Sequence, residues 1–124
     1  MLARKPVLTA QELEIMKVVW RSGASTVRDV YETLLEHRKI AYTTVMTMMN
    51  ILEQKKYLRK SAEDRAYIYR PAKPKKQVIK GMVREFVDRV FNGSAEPLLV
   101  HLIEDRKLTN KDLDELARMI RKDR

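Results

Sequence analysis

The side chains with the most informative spacing lie on one stretch in the first half of the chain. Four of them recur at i, i+3, i+4 and i+7, the spacing of one helix face: Thr43, Met46, Thr47 and Asn50. This face carries no charge, although 35% of the chain is Asp, Glu, Lys or Arg. An Asn amide can bond adenine N6 and N7, and Thr and Met methyl groups pack on the thymine methyl. The face therefore suits the edges of DNA bases, and Thr44 lies on its shoulder.

Cationic residues cluster directly after this stretch. Positions 55 to 76 hold nine cationic and two acidic residues, a local charge of +7 in a chain of net charge +9. Excess cationic charge attracts polyanions, so nucleic acid is the leading partner and an anionic membrane is the alternative. Within the cluster, Lys60, Arg65 and Tyr67 are expected to reach phosphates or the adjacent minor groove. Whether Arg4 and Lys5 form a short basic arm is left open.

The sequence offers no candidate catalytic or metal-binding site. The 124 residues include no Cys and only two His, His37 and His101, which stand 64 positions apart and match no metal-ligand spacing. Three scattered Gly residues cannot build a phosphate-binding loop. We expect no enzyme activity, no metal and no cofactor. Without Cys, a signal peptide or a long apolar run, the protein is expected to be cytoplasmic.

The elements that would position these residues can be read from caps and apolar periodicity. Thr9 and Glu12 form a capping box that starts a first helix with a stripe of Leu13, Met16 and Trp20, and Ser22-Gly23 ends it. A second helix is capped by Ser25 or Thr26 and carries an apolar stripe: Val27, Val30, Tyr31, Leu34 and Leu35. The third helix runs from about Tyr42 to Lys55, with a buried stripe opposite the uncharged face: Val45, Met48, Met49 and Leu52.

A change of period follows the third helix. The segments 57–62 and 66–70 are short and rich in Tyr and Ile, and Glu63-Asp64-Arg65 separates them, which predicts a β-hairpin with a charged tip. The order helix, helix, helix, hairpin predicts a winged helix-turn-helix in residues 1–72. The fold class is thus mainly α with a small hairpin wing.

Three further helices are predicted in residues 73–124, at about 75–91, from 95 to about 104, and after a box-like cap at Thr109. Helices this short cannot enclose a sufficient core, so we expect a homodimer with paired DNA-reading helices. Folding back on the first domain as a monomer is the alternative. The residues assigned to dimerisation are Ile79, Met82, Phe86, Val90, Leu98, Leu99, Leu102, Leu113, Leu116 and Ile120.

The stretch from Ala41 to Glu53, AYTTVMTMMNILE, with DRAYIYRP from Asp64 to Pro71, resembles the penicillinase repressor (BlaI/MecI) family. The similarity extends over nearly the whole chain from Leu8. It implies a homodimeric bacterial repressor that binds palindromic promoter DNA through an N-terminal winged helix. The resemblance also assigns the DNA contacts to the third helix and the wing, at Thr43, Thr44, Met46, Thr47, Asn50, Lys60, Arg65 and Tyr67. We assign Tyr42, at the start of the third helix, to the same DNA-binding set.

Two features of the family bear on regulation. Some members are inactivated by cleavage in the dimerisation domain, triggered by a membrane sensor, and the matching peptide here is His101-Leu102, where those members have Asn-Phe. A copper-sensing branch uses Cys residues, which this chain lacks. Ile51 replaces a residue that is basic in many relatives.

Two other function classes remain open. The uncharged helix face would equally serve a winged-helix adaptor that binds another protein, with the basic cluster incidental. A non-specific nucleic-acid binder would use the cations without reading bases. Salt dependence separates the adaptor from DNA binding, because log-log slopes of about −0.9 accompany each neutralised phosphate.

Overall fold

The computed structural model describes residues 7–122, in which six helices and one two-stranded antiparallel sheet are found. The elements in chain order are α1 (Ala10–Ser22), α2 (Val27–Leu35), α3 (Tyr42–Gln54), β1 (Leu58–Glu63), β2 (Ala66–Pro71), α4 (Lys75–Phe91), α5 (Glu96–Arg106) and α6 (Asn110–Lys122). Contacts divide the chain into two compact units, one ending at Met82 and the other beginning at Val83. Arg4 and Lys5 lie outside the described residues.

Side-chain caps set the bounds of the first two helices. Thr9 accepts a hydrogen bond from the backbone of Glu12, whose carboxylate in turn accepts from the backbone of Thr9. Gly23 ends α1 with φ 80°, a left-handed conformation that glycine adopts without steric cost. Thr26 caps α2 with Asp29 in the same reciprocal way. Of the two predicted caps, Thr26 is therefore the one used, and the predicted bounds of α1 are confirmed.

Ser25, the other predicted cap, has a different role. It is buried, and its backbone forms an isolated bridge with Tyr69, with N–H···O distances of 2.8 and 2.9 Å in the two directions. The bridge attaches the turn between α1 and α2 to the hairpin. It fixes β2 from the side opposite β1.

One hydrophobic core joins α1, α2, α3, the root of the hairpin and the start of α4. Its fully buried members are Ile15, Met16, Val19, Val30, Leu34, Val45, Met49, Leu52 and Leu58. The buried face of α1 differs from the predicted stripe: Leu13 and Trp20, which were predicted to be buried, are half-buried, whereas Ile15, which was not, is 1% exposed. This helix packs against α2, α3 and β2, so its buried face is wider than one stripe. Leu35 is exposed, because α2 ends there.

The first unit continues past the two prolines that follow the hairpin. The Trp20 indole N–H donates to the Lys73 carbonyl over 3.0 Å, and the Ala72 N–H donates to the Tyr57 carbonyl over 2.8 Å. Val78 is buried and Met82 packs on the same core. The domain boundary between Ala72 and Lys73 remains a prediction. The boundary between the two compact units lies ten residues further along the chain, because the start of α4 packs on the core of the first unit.

The second unit contains the last part of α4, together with α5 and α6. Thr109 and Asp112 exchange cap hydrogen bonds of 2.9 and 3.1 Å before α6, in agreement with the box-like cap in the sequence. The rings of Phe91 in α4 and His101 in α5 have centroids 6.0 Å apart. Within α4, the ring centroids of Phe86 and Phe91 are 5.9 Å apart. None of residues 83–121 is buried. A unit with so little core is expected to need further burial.

Candidate nucleic-acid interface

The exposed face of α3 is the centre of the candidate site. Val45, Met49 and Leu52 are 0% exposed and anchor this helix on the core, as the spacing predicts. On the opposite side five uncharged residues are exposed and a sixth is half-buried: Tyr42, Thr43, Thr44, Met46 and Thr47, then Asn50. The exposed side of α3 is therefore an uncharged strip, rich in methyl groups, that runs along successive turns of the helix. Ile51 borders this strip and is exposed.

The first turn of α3 lies beside the first half of α2. The Tyr42 ring meets the Tyr31 ring edge-on with centroids 5.4 Å apart, and the Arg28 guanidinium lies 5.8 Å from the Tyr42 centroid. Sequence reasoning missed Arg28. A cation in the first turn of a helix opposes the helix dipole, and that was the available signal. Arg28 is exposed and also lies 3.5 Å from the Glu32 carboxylate, and it extends the candidate site by a partly paired cation.

The hairpin brings its three predicted residues to one end of the site. The register pairs Lys60 with Tyr69 and Ala62 with Tyr67, so the side chains of these four residues share one face. On this face the Lys60 ammonium lies 4.8 Å from the Tyr67 ring centroid. Arg65 is at the tip. A cation held over an aromatic ring keeps its charge available to an anion while its stem is ordered.

The tip is a two-residue turn, shorter than the three residues predicted. Asp64 and Arg65 have φ of 48° and 67°, so both occupy the left-handed region. A two-residue hairpin turn with both central φ positive is the type I′ pattern, for which Asn-Gly is preferred. Asp64 suits the first of these positions, but the sequence signal was concealed because Arg65 stands where Gly is preferred. The turn leaves Arg65 exposed and holds it in the left-handed region at some steric cost.

Asn50 connects the helix face to the hairpin. Its Oδ1 accepts a hydrogen bond from the Tyr69 hydroxyl over 2.9 Å and lies 3.5 Å from the Lys60 ammonium. Tyr69 is 2% exposed, and burial raises the pKa of its hydroxyl. The two predicted contact residues, Asn50 and Lys60, are thus adjacent. The separation of ten residues between them gave no indication of this contact.

A buried ion pair holds the far end of α3. The Glu12 carboxylate caps α1 and also accepts from the Lys55 ammonium, at 2.9 Å for Oε2 and 3.1 Å for Oε1. Burial by itself favours the neutral acid. The hydrogen bonds from Thr9 and Lys55 and the Lys55 charge outweigh it and lower the pKa of Glu12. Glu12 thereby fixes the C-terminal end of α3 against the start of α1.

The basic cluster is only partly available for an anion. Lys55 is paired with Glu12, and Arg70 donates to Glu63 over 2.8 Å. Hydrogen bonds from Arg70 and Ser61 lower the pKa of Glu63. Lys73 lies over the Tyr57 ring at 4.3 Å. The remaining cations of the cluster are exposed: Lys56, Arg59, Lys60, Arg65, Lys75 and Lys76.

The residues assigned to dimerisation fall in both units. Met82 and Ile79 are half-buried in the first unit, and Met82 contacts its core. In the second unit Leu98 and Leu113 are half-buried, and the others are exposed: Phe86, Val90, Leu99, Leu102, Leu116 and Ile120. Four more apolar residues there are exposed and were not assigned: Val83, Val100, Ile103 and Met119. The predicted cleavage peptide, His101-Leu102, lies in the middle of α5.

Neither a metal cluster nor a membrane span is found among residues 7–122. No group of three or more His, Asp or Glu side chains there has a metal-binding arrangement. No helix in the same range is both long and apolar enough to cross a membrane.

Comparisons with known proteins agree with this geometry. A family model described as penicillinase repressor matches residues 8–122. The transcriptional regulator BlaI of Mycobacterium tuberculosis is 36% identical over 95 residues, covering 75% of this chain and 69% of the relative. The penicillinase repressor of Bacillus licheniformis is 25% identical over 115 residues, covering 93% and 90%. The solution structure of monomeric B. licheniformis BlaI with the blaP half-operator matches with a TM-score of 0.51 and 27% identity, over 60% of this chain and 92% of that one.

Proposed function

The chain belongs to the penicillinase repressor family, and from this premise we propose that it represses transcription by binding palindromic operator DNA as a homodimer. The observation that carries the proposal is the uncharged, exposed face of α3 with exposed cations beside it. Thirteen helical residues span about 20 Å, and a major groove about 12 Å wide admits a helix. The predicted winged helix thus has a reading helix of suitable size.

The contacts divide into reading and positioning groups. Thr43, Met46, Thr47 and Asn50 face base edges, with Tyr42 and Thr44 at the margin toward the backbone. Lys60, Arg65 and Tyr67 on the wing reach phosphates or the minor groove, and Arg28 adds a phosphate contact near the start of α3. Ala41, the residue preceding α3, provides no side-chain cap, so first-turn N–H groups remain for a phosphate oxygen.

A second copy of the chain is the partner that fits the second unit. Residues 83–121 form no buried core, and their apolar side chains are extensively exposed, for example Leu99 at 51% and Ile120 at 61%. Pairing two such units buries these side chains about a two-fold axis. That symmetry matches a palindrome whose half-sites lie about one turn of 10 to 10.5 base pairs apart, or a multiple of it. Repression then depends on protomer concentration as well as on operator affinity.

The same proposal covers the location and the regulation. We place the repressor in the cytoplasm, where bacterial DNA is reached, and assign it no catalytic role. Derepression by a membrane sensor and a protease is carried over from the family as a hypothesis. Since His101 and Leu102 lie within α5, cleavage between them requires this helix to open first.

Selection of bound sites from a random double-stranded DNA library, at two salt concentrations, tests the proposal. The expected result is a palindrome whose affinity falls steeply with salt. Replacing Lys60 by Ala should reduce the log-log salt slope by about 0.9. Lys17, an exposed cation on α1, provides the matched control, and Lys17→Ala should leave the slope unchanged. Enrichment without dyad symmetry, or binding insensitive to salt, would contradict the proposal in favour of a non-specific binder or an adaptor.

A further inference from the structure

The carbonyl of Asn50 is the acceptor for two donors of the same molecule. The Tyr69 hydroxyl lies 2.9 Å from Oδ1 and the Lys60 ammonium lies 3.5 Å from the same atom. A carbonyl oxygen has two lone pairs, and these two donors match them in number. Asn50 is on the reading face of α3, so this arrangement bears directly on which base it recognises.

The two donors also determine whether Oδ1 or Nδ2 of the Asn50 amide faces the hairpin. An ammonium group has no lone pair, so the atom that faces Lys60 has to be an acceptor. Rotation of the amide by 180° would place the N–H donors of Nδ2 against the Tyr69 hydroxyl hydrogen and the Lys60 ammonium, and both hydrogen bonds to Oδ1 would be lost. The orientation with Oδ1 toward the hairpin is therefore favoured. The Nδ2 atom, with its two N–H donors, occupies the other branch of the carboxamide.

Tyr69 holds this orientation rigidly. Its backbone exchanges hydrogen bonds with Ser25 and is paired with Lys60 in the ladder. Its side chain is 2% exposed, and burial raises the pKa of the hydroxyl, so the group remains protonated and can donate. The Tyr69 hydroxyl, held in place by the hairpin, thus orients the amide of Asn50 before any ligand is present.

We propose that Asn50 acts as a donor only and reads guanine in the operator, an inference that rests on the DNA-binding function proposed above. Guanine presents two adjacent acceptors in the major groove, N7 and O6, which match the two N–H groups of Nδ2. Recognition of adenine through N6 and N7 needs Oδ1 as an acceptor facing the base, whereas the Tyr69 hydroxyl holds Oδ1 toward the hairpin at 2.9 Å, beside the Lys60 ammonium. Cytosine presents a donor at N4, which opposes Nδ2. The Lys60 charge beside the amide further favours the electron-rich guanine edge.

The operator position read by Asn50 can be identified by site selection with Asn50→Ala. The position whose preference disappears in this variant is the contacted one, and the wild-type protein should select guanine there. Replacing guanine at that position should weaken wild-type binding by about 5- to 150-fold, the range for one good base contact. Asn50→Asp keeps acceptor oxygens for Tyr69 and Lys60 but removes the donors. This variant should select against guanine and in favour of cytosine.

The role of Tyr69 is tested with Tyr69→Phe and a matched control. Loss of the hydroxyl frees one lone pair of Oδ1, so the variant should accept adenine nearly as well as guanine at the contacted position. Tyr31→Phe removes a hydroxyl from a half-buried tyrosine on α2 and should leave the preference unchanged. Adenine at this position in the wild-type site, or an unchanged preference in Tyr69→Phe, would overturn the inference. Absence of any enriched palindrome for the wild-type protein would instead refute the proposed function.

Discussion

The turn at the tip of the wing provides a prediction in which stability and DNA affinity change in opposite directions. Arg65 has φ 67°, and a left-handed conformation costs a residue with a Cβ roughly 1 to 2 kcal/mol. Glycine removes that cost but adds about 0.5 to 1 kcal/mol of backbone entropy lost on folding. Arg65→Gly should therefore raise the free energy of unfolding by about 0 to 1.5 kcal/mol, with a central value near 0.75 kcal/mol. The same variant loses the cation that the wing offers to DNA.

The assay uses Trp20, which is the single tryptophan of the chain and lies in the unit that contains the wing. Denaturant unfolding followed by Trp20 fluorescence should give a higher midpoint for Arg65→Gly with an unchanged slope. Binding to the selected operator, measured over a range of salt concentrations, should be weaker than that of the wild type. Its log-log salt slope should be smaller by about 0.9, the value for one phosphate contact.

Asp64→Gly is the matched control because Asp64 is the other left-handed residue of the turn, with φ 48°. It should also stabilise the protein, although by less, since Asp tolerates this conformation better than Arg. It removes an anion, so DNA binding should be equal or tighter. A lower unfolding midpoint for Arg65→Gly would refute the strain argument. Unchanged affinity and salt slope in that variant would refute the phosphate contact of Arg65.

Three further outcomes follow from the contacts described above. Glu12→Gln breaks a pair in which Lys55 is 29% exposed, so it should cost about 2 kcal/mol of unfolding free energy, less than for a fully buried pair. Because folding lowers the pKa of Glu12, its contribution is complete above the ordinary value of 4.5 and is lost as the pH falls below it, and urea unfolding at pH 7 and pH 3.5 should differ less in the variant. Phe86→Glu puts a charge on the exposed apolar surface of the second unit and should raise the dimer dissociation constant about tenfold or more in sedimentation measurements. Thr47→Ala should lose about 1 to 3 kcal/mol of discrimination at one operator position and none at the others, as measured by competition with single-base variants.

Local features of the fold were predictable from the sequence. The Thr9 capping box, the left-handed Gly23 and the apolar stripe of α3 depend on residues within about one helical turn of each other. Their outcome is set by steric and hydrogen-bonding preferences that do not require the rest of the chain. The hairpin was predicted from its composition, but its two-residue turn was not, because Arg65 is atypical for the left-handed position where glycine is preferred.

Contacts between distant residues were not predictable. Glu12 and Lys55 are 43 residues apart, and nothing at either position indicates the other. Likewise, the sequence suggested that Asn50 was a free amide suited to adenine. Its carbonyl is engaged by Tyr69, 19 residues away, because Ser25 and β1 fix β2 beside α3. The identity of the reading face was thus available from spacing, whereas the direction of its hydrogen-bonding groups depends on tertiary structure.

The central claim is that two protomers read two half-sites through α3. Its most direct test is titration of the full chain against a duplex carrying the selected palindrome and against the same duplex with one half-site scrambled. Native mass spectrometry gives the stoichiometry and competition gives the affinity. We expect two protomers on the palindrome and a loss of affinity of about 100-fold or more on the scrambled duplex, the loss expected from two good base contacts. One protomer per duplex, with equal affinity for both duplexes, would contradict the account.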